Sequence, residues 1–202
     1  MLHRFTTLAL TMSVLFAATA CGFAQQKKQP DPKELQKAYE AYATPGKEHA
    51  QFKRLSGNWS CVVKAFPTPN RPVVSKGTAS FRVILGGRFL QQRFRGKLEG
   101  QSFEGQGISG FDNSRKKYFT HWIDSMGTGR VQLEGTYDRK TQTLTETGTS
   151  SSPLGPMKMK TVTRYSSNDQ FLFTMYVVTP NGDQKMLEIN YTRAKGKPKK
   201  RK

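Results

Sequence analysis

Short segments typical of β-strands repeat along the chain from Trp59 to Arg193, and this repetition limits the possible folds more than any other feature. The segments are rich in Val, Thr, Phe and Tyr, and turn-forming Gly, Asn, Asp and Pro separate them. No helical pattern interrupts the series, which argues against the parallel βαβ units of α/β proteins. The predicted strands cover residues 58–66, 74–85, 88–96, 102–111, 117–125, 129–138, 142–149, 157–166, 170–179 and 184–193.

The turns between these segments are short, so each strand is expected to pair with the next one in antiparallel fashion. Closing the sheet into a barrel removes the exposed edges that otherwise promote aggregation. A barrel of about ten strands leaves room inside for side chains or for one small ligand. We therefore predict an all-β protein that folds as an up-and-down antiparallel β-barrel of about ten strands. A sandwich of two sheets is the alternative.

Helical signals precede the first strand. Asp31 can cap a helix whose first turn contains Pro32, and Glu34 completes a variant of the capping box. Pro45 then begins a second short helical pattern, which carries on one face the side chains of His49, Phe52 and Leu55. The barrel is therefore expected to follow one or two short N-terminal helices.

The N-terminus has the features of an export signal. A short basic start precedes an apolar run from Phe5 to Ala20, which is shorter than the roughly 20 residues of a membrane-spanning helix. Residues 1–20 are therefore predicted to be a signal peptide. Ala18-Thr19-Ala20-Cys21 looks like a bacterial lipobox, which makes Cys21 a candidate for lipidation; cleavage without lipidation is the alternative. Either route exports the protein to the periplasm or cell envelope.

Charge and composition divide the remaining chain. Residues 21–45 form a polar linker and the first helix, residues 46–193 the barrel domain, and residues 194–202 a basic tail predicted to be disordered. The whole chain has 33 Lys and Arg against 14 Asp and Glu, a formal net charge of +19. The tail could bind anionic lipid headgroups or envelope polymers; the alternative is a solvated segment that aids solubility. Export argues against nucleic acid as the partner.

Few residues are suited to metal or nucleophilic chemistry. After the signal, the histidines are His49 and His121, and neither begins a ligand-spaced motif, so no metal site is predicted. Cys61 lies in an apolar run and is expected to be a buried thiol. The letters of a nucleotide-binding motif occur within a strand and open no helix, so the glycines are expected instead to allow bulges or close packing against bulky interior side chains. These glycines are Gly105, Gly107 and Gly110.

Several short motifs are spread over residues 46–193. They are Glu48-His49, Leu55-Ser56-Gly57-Asn58-Trp59, Leu85-Gly86-Gly87-Arg88-Phe89-Leu90, Phe103-Glu104-Gly105-Gln106-Gly107, Gly110-Phe111-Asp112, Trp122-Ile123-Asp124-Ser125-Met126-Gly127-Thr128 and Tyr191-Thr192-Arg193. Their order and spacing resemble the exported bacterial family catalogued as domain of unknown function 1579. That family has no assigned activity, so the resemblance implies an exported bacterial protein without implying a particular function.

Gly57-x-Trp59 follows the second predicted helix, and Arg193 lies in the last predicted strand. Together they resemble the opening motif and its arginine partner in the lipocalin and fatty-acid-binding-protein (calycin) barrels. This resemblance implies that Trp59 seals one end of the barrel beneath Arg193, with Gly57 permitting the entry turn. Haem-binding relatives use a late histidine as ligand, and the segment 189–191 has none, so no cofactor is predicted.

The fold and the residue types are compatible with three functions. The leading hypothesis is non-enzymatic binding of a small, partly apolar ligand inside the barrel. The second is an enzyme that uses the same cavity, with His121 or Asp124 as acid or base. The third is a structural envelope protein whose core is filled by side chains. For a ligand site, the candidate lining residues are Phe81, Arg88, Phe111, His121, Trp122, Asp124 and Met126.

Trp122 and Asp124 are two residues apart and therefore share one face of a strand. If Trp122 faces the interior, so does Asp124, and a buried carboxylate needs a partner. An arginine from a preceding strand could be that partner, and the candidates are Arg82, Arg88 and Arg93. The alternative is that Asp124 accepts hydrogen bonds from backbone amides of the following turn.

Overall fold

Ten antiparallel strands form a closed barrel in the computed structural model, which describes residues 31–195. The predicted up-and-down β-barrel is therefore confirmed, and the two-sheet sandwich is wrong. The strands are β1 Gly57–Thr68, β2 Arg71–Ile84, β3 Phe89–Leu98, β4 Gln101–Asp112, β5 Lys117–Asp124, β6 Val131–Asp138, β7 Thr143–Ser150, β8 Met157–Tyr165, β9 Gln170–Thr179 and β10 Gly182–Arg193.

The barrel closes through the pairing of its first and last strands. Trp59 on β1 lies opposite Arg193 on β10, and the ladder continues to the pair of Ala65 and Leu187. The other edge of β1 pairs with β2, and every later strand pairs with its neighbours in sequence. No strand of the described chain is therefore left with an unpaired edge, which protects the sheet from association with other strands.

Side chains alternate between the interior and the solvent, as the period of a β-strand requires. In β1, the interior side chains Trp59, Cys61, Val63 and Ala65 are buried, whereas the intervening Ser60 is exposed. The same alternation in the other strands builds one continuous core inside the barrel. Burial of these apolar side chains is the main favourable contribution to the folding free energy.

Two helices precede the barrel, α1 Pro32–Ala43 and α2 Lys47–Leu55. Asp31 caps α1 by accepting a hydrogen bond from the amide of Lys33 at 2.8 Å. No side chain of α1 is buried, whereas α2 buries His49 and Phe52 against one end of the barrel. Among residues 31–195, no helix has the length and apolar character needed to cross a membrane.

The two ends of the barrel differ in how they are covered. We call the end that α2 covers the closed end; it also carries the 3-10 turn Leu85–Gly87 between β2 and β3. The opposite end, called the open end, carries the connections β1–β2, β3–β4, β5–β6, β7–β8 and β9–β10. Residues 1–30 and 196–202 lie outside the described part, and with them the predicted signal peptide, Cys21 and most of the basic tail.

Candidate functional site

A cavity of about 460 Å³ occupies the barrel interior and reaches the open end. Its walls are mainly apolar, because the inward positions of most strands carry aliphatic, aromatic or methionine side chains. Large apolar contributors include Leu90, Phe94, Leu133, Met159, Phe173 and Met175. The interior side chains therefore do not fill the barrel, and a small apolar molecule has room inside it.

An aromatic cluster forms the floor of the cavity at the closed end. Phe171 stacks on Tyr191 with ring centroids 4.2 Å apart, and Trp59 lies edge-on to Phe171 at 4.8 Å. The indole of Trp59 donates a hydrogen bond to the Leu55 carbonyl at 2.8 Å, which ties the end of α2 to this floor. The closed end is therefore held by both aromatic packing and a partly buried hydrogen bond.

Arg193 closes the barrel from outside this floor. Its guanidinium carbon lies 4.4 Å from the Trp59 ring centroid, the contact that the calycin resemblance implied. The guanidinium also donates to the carbonyls of Arg54, Ser56 and Asn168. Gly57 has a φ of 124°, and a Cβ there would lie 3.1 Å from Arg193 Nη1. Gly57 is thus required both for its backbone conformation and for the close approach of the arginine.

Trp122 lies against the interior wall over two glycines of the neighbouring strand. A Cβ on Gly105 would overlap the indole, and one on Gly107 would lie 2.9 Å from it. These glycines of β4 therefore make room for the ring, as the sequence predicted. The third glycine of the motif, Gly110, instead faces Phe89 and Phe119, which lie beside it on the outer surface.

Asp124 fixes both Trp122 and the turn that follows β5. Its Oδ2 accepts a hydrogen bond from the Trp122 indole at 2.9 Å, and its Oδ1 accepts one from the Met126 amide at 2.9 Å. No arginine within residues 31–195 forms an ion pair with Asp124. The predicted Asp–Arg pair is therefore wrong, and the turn role is present together with an indole contact that the sequence did not suggest.

The structure brings four of the seven predicted lining residues to the cavity. Phe81 contributes to the floor, Trp122 and Asp124 lie on the wall near the open end, and Met126 lies at the mouth. Met126 is 59% exposed, so a ligand entering from the open end would pass it.

The other three predicted lining residues lie elsewhere, which corrects the sequence-based assignment. His121 is exposed on the outer face, because it is adjacent to the inward Trp122 and strand neighbours point to opposite faces. Arg88 is exposed and donates to the Leu85 carbonyl at 3.2 Å. Phe111 points inward but is covered by α2, since its ring packs 5.8 Å from that of His49.

Glu146 is the residue of the cavity wall that the sequence analysis missed. It lies in the middle of β7, is 4% exposed, and accepts a hydrogen bond from the Thr120 hydroxyl at 2.9 Å. Burial raises the pKa of its carboxyl above the ordinary value. The sequence contained one indication of this position: Glu146 lies two residues from both Leu144 and Gly148 and therefore shares the apolar face of the strand with them.

The remaining polar groups of the interior are neutral or held by neighbours. Gln92 donates to the Tyr191 hydroxyl at 3.2 Å, and burial raises the pKa of Tyr118 to about 12. Cys61 is buried, as predicted, and desolvation raises the pKa of its thiol to about 12, which makes it a poor nucleophile. In the described part of the chain, no three His, Cys, Asp or Glu side chains lie close enough to hold a metal ion.

A closed, up-and-down β-barrel with an internal cavity and one open end defines the class of this protein. Within that class, the chain belongs to the family described as protein of unknown function (DUF1579), whose model matches residues 44–193. The sequence resemblance to that family is thereby confirmed. A comparison with curated proteins found no match to the sequence.

Solved structures with a similar fold have little sequence in common with this chain. Rv2717c from M. tuberculosis shares 14% identity with a TM-score of 0.53, and the match covers 75% of this chain and all of that one (100%). The S-type phycobiliprotein lyase CPES from Guillardia theta shares 8% identity with a TM-score of 0.47, covering 83% of this chain and 100% of the lyase. The first likeness supports the barrel fold alone.

Proposed function

We propose that the protein binds a small, partly apolar ligand inside the barrel without chemically transforming it. The observation that carries this proposal is the apolar cavity of about 460 Å³ that reaches the open end. Small-molecule sites in proteins are typically concave, mostly apolar and about 300–1,000 Å³ in volume. A barrel whose core served structure alone would be expected to fill this space with side chains.

The positions of the polar residues favour binding over acid–base catalysis in the cavity. His121, one of the two suggested acid–base residues, is exposed on the outer face. Asp124, the other, already accepts hydrogen bonds from Trp122 and from the Met126 amide. A general base must reach the proton that it removes, and neither side chain is free in the interior to do so.

The proposed location is the periplasm or cell envelope, because the apolar run of residues 1–20 has the features of a signal peptide. Lipidation of Cys21 would tether the barrel to a membrane. The basic residues 194–202 would add attraction to anionic headgroups, worth about 1 kcal/mol for each Lys or Arg near the surface. A barrel held at a membrane is well placed to exchange an apolar ligand with it.

The proposal is tested by titrating the protein with the uncharged dye Nile red and by filling the cavity. Met175→Trp adds bulk to the wall and is expected to weaken dye binding at least about tenfold. Ile123→Trp, on the exposed outer face, is the matched control and should leave binding unchanged. If Met175→Trp does not fold, Leu144→Phe supplies the same test. Equal binding by a folded cavity variant and its control would overturn the proposal.

A further inference from the structure

Glu146 places a carboxyl deep in a cavity whose walls are otherwise mainly apolar. The residue lies midway along β7, opposite Thr161 on β8, so its side chain is well inside the mouth of the barrel. The ion pairs formed within residues 31–195 do not include Glu146. A buried carboxyl without a cationic partner is unfavourable for folding, and such groups concentrate at functional sites.

One oxygen of this carboxyl is already used by the protein. The Thr120 hydroxyl donates to Oε1 at 2.9 Å, and the Ser109 hydroxyl is hydrogen-bonded to that of Thr120 at 3.0 Å. This chain of hydroxyls fixes the orientation of the Glu146 side chain. The hydrogen bond from Thr120 uses Oε1, so Oε2 keeps acceptor capacity for a molecule in the cavity. Thr161 also lies beside the carboxyl, and its hydroxyl partly opposes the rise that burial causes in the pKa of Glu146.

The Thr161 hydroxyl supplies a second polar atom beside Glu146. Thr161 is 2% exposed and lines the cavity, and its Oγ1 makes no hydrogen bond of ordinary length and angle to the described residues, although it is near enough to lower the pKa of the Glu146 carboxyl. Buried hydroxyls in folded proteins almost always have a partner. A group that lies in the cavity and donates two hydrogen bonds would satisfy both Oε2 of Glu146 and Oγ1 of Thr161.

We propose that Glu146 and Thr161 form a polar subsite that binds the protonated amino group of an otherwise apolar ligand. This inference rests on the proposed function and names the class of ligand. An ammonium group has three donors and no acceptor, so it matches a carboxylate oxygen and a hydroxyl oxygen that both accept. A ligand carboxylate would instead bring a second anion against Glu146, and a ligand hydroxyl would supply a single donor.

The charges around the subsite allow this pairing. The titratable groups that line the cavity with Glu146 are Arg54, Tyr118, Asp124, Tyr137, Tyr165 and Tyr191. Arg54 lies at the closed end, where its guanidinium donates to the Asn168 side chain at 3.1 Å. Burial raises the pKa of the Tyr118, Tyr165 and Tyr191 hydroxyls, which keeps them neutral. No cation of the described chain therefore competes for Glu146.

Binding changes the protonation of the subsite. Because burial raises the pKa of Glu146, the carboxyl of the empty cavity keeps its proton to a higher pH than an exposed glutamate does. Where the empty site is protonated, binding of an alkylammonium ion releases that proton to solvent, and the carboxylate pairs with the ligand. Affinity for the amine is therefore expected to rise with pH until the free amine itself loses its proton, near pH 10 for an alkylamine by analogy with about 10.4 for lysine.

Three probes of equal chain length test the inference: decylamine, decanol and decanoic acid, each used at pH 7 to displace Nile red. Decylamine is expected to bind the native protein at least about tenfold more tightly than decanoate. The chain has a net charge of +19 and would non-specifically attract decanoate and repel decylammonium. Tighter binding of decylamine therefore indicates a specific site. Calorimetry in two buffers of different ionisation enthalpy, repeated at decreasing pH, should show proton release with decylamine that grows as pH falls, and none with decanol.

Glu146→Gln keeps the size of the side chain and removes its charge. It is expected to remove the preference for decylamine and to leave decanol binding within about threefold of the native value. Thr161→Val, which keeps the shape of threonine, should weaken decylamine more than decanol and serves if the first variant does not fold. The matched control is Glu104→Gln, an exposed residue of the outer face, which should preserve the order of the three probes.

Two results would overturn the inference while leaving the proposed function intact: decanoate binding as tightly as decylamine, or an unchanged order of the probes in Glu146→Gln. Failure of all three probes and of Nile red to bind would overturn the proposed function, and the inference with it.

Discussion

The guanidinium of Arg193 lies 4.4 Å from the ring centroid of Trp59, and this contact joins the last strand of the barrel to the first. The same guanidinium donates to backbone carbonyls at the end of α2 and in the β8–β9 turn. Three separate parts of the chain therefore meet at one side chain, which lies against the aromatic floor of the cavity.

Replacing Arg193 with Ala is expected to lower the free energy of unfolding by about 2–4 kcal/mol, because it removes the cation–π contact and leaves several carbonyls without a donor. Arg95→Ala is the control, since Arg95 forms an exposed ion pair with Glu104 and its loss should change stability by at most about 0.5 kcal/mol. Urea denaturation measures both. Equal effects of the two substitutions would show that Arg193 does not hold the closed end.

Gly105→Ala is expected to destabilise the protein by about 1–3 kcal/mol, because the added methyl would enter the space of the Trp122 ring. The indole should move, and its fluorescence and near-ultraviolet circular dichroism should change. Gly127→Ala is the control: its nearest contact would be 3.9 Å away. In a protein that already carries Trp122→Leu, Gly105→Ala should cause little further loss of stability, because the ring that the methyl would meet is gone. The same loss of stability in both proteins would contradict this explanation.

Asp124→Asn is expected to destabilise the protein by about 1 kcal/mol, because its single side-chain oxygen can accept from the Trp122 indole or from the Met126 amide but not from both. Asp124→Ala loses both hydrogen bonds and should destabilise the protein by about 2 kcal/mol. Thermal unfolding of the two variants measures the difference. Equal destabilisation by Asn and Ala would show that the hydrogen bond that asparagine retains does not stabilise the protein.

The pH dependence of stability should report on Glu146. Its folded pKa is raised by burial, so the folded state holds this proton more tightly than the unfolded state does. The resulting stabilisation is full below the unfolded pKa of about 4.3 and is lost as pH rises through the folded value, at no more than about 1.4 kcal/mol per pH unit. The difference in unfolding free energy between Glu146→Gln and the native protein should therefore increase with pH in this range.

Denaturation of the native protein, Glu146→Gln and Glu104→Gln at several pH values provides the measurement. Glu104→Gln should follow the native curve, because the Glu104 side chain is 64% exposed. A pH-independent difference between Glu146→Gln and the native protein would show that Glu146 titrates in the folded protein as it does in the unfolded one.

The strands were predictable because their signal is local. Trp59, Cys61 and Val63 alternate with polar or exposed residues, and this alternation identifies both a strand and its buried face. Closure of the barrel depends instead on pairing between β1 and β10, two strands that lie far apart in the sequence, so no local pattern indicates it. The resemblance of the Gly57-x-Trp59 motif and Arg193 to calycin barrels implied that these two strands meet.

The cavity was less predictable, because it depends on how strands are placed around the barrel. His121 and Trp122 were both predicted to line the cavity, yet adjacent residues of a strand point to opposite faces. Phe111 points inward, but the helix α2 covers it, and a helix position of this kind is a tertiary property. Glu146 was overlooked because a charged residue in a strand is usually exposed, and its burial becomes evident when β5, β7 and β8 are placed together.

Native mass spectrometry of the protein purified from its native host tests the central claim most directly. The account predicts a non-covalent ligand of small-molecule mass that leaves on denaturation, is retained by Ile123→Trp and is lost in Met175→Trp, where the cavity is filled. A ligand containing a basic nitrogen would also support the role of Glu146. The bare mass of the chain in every preparation, together with no binding of Nile red, would contradict the claim that this barrel holds a ligand.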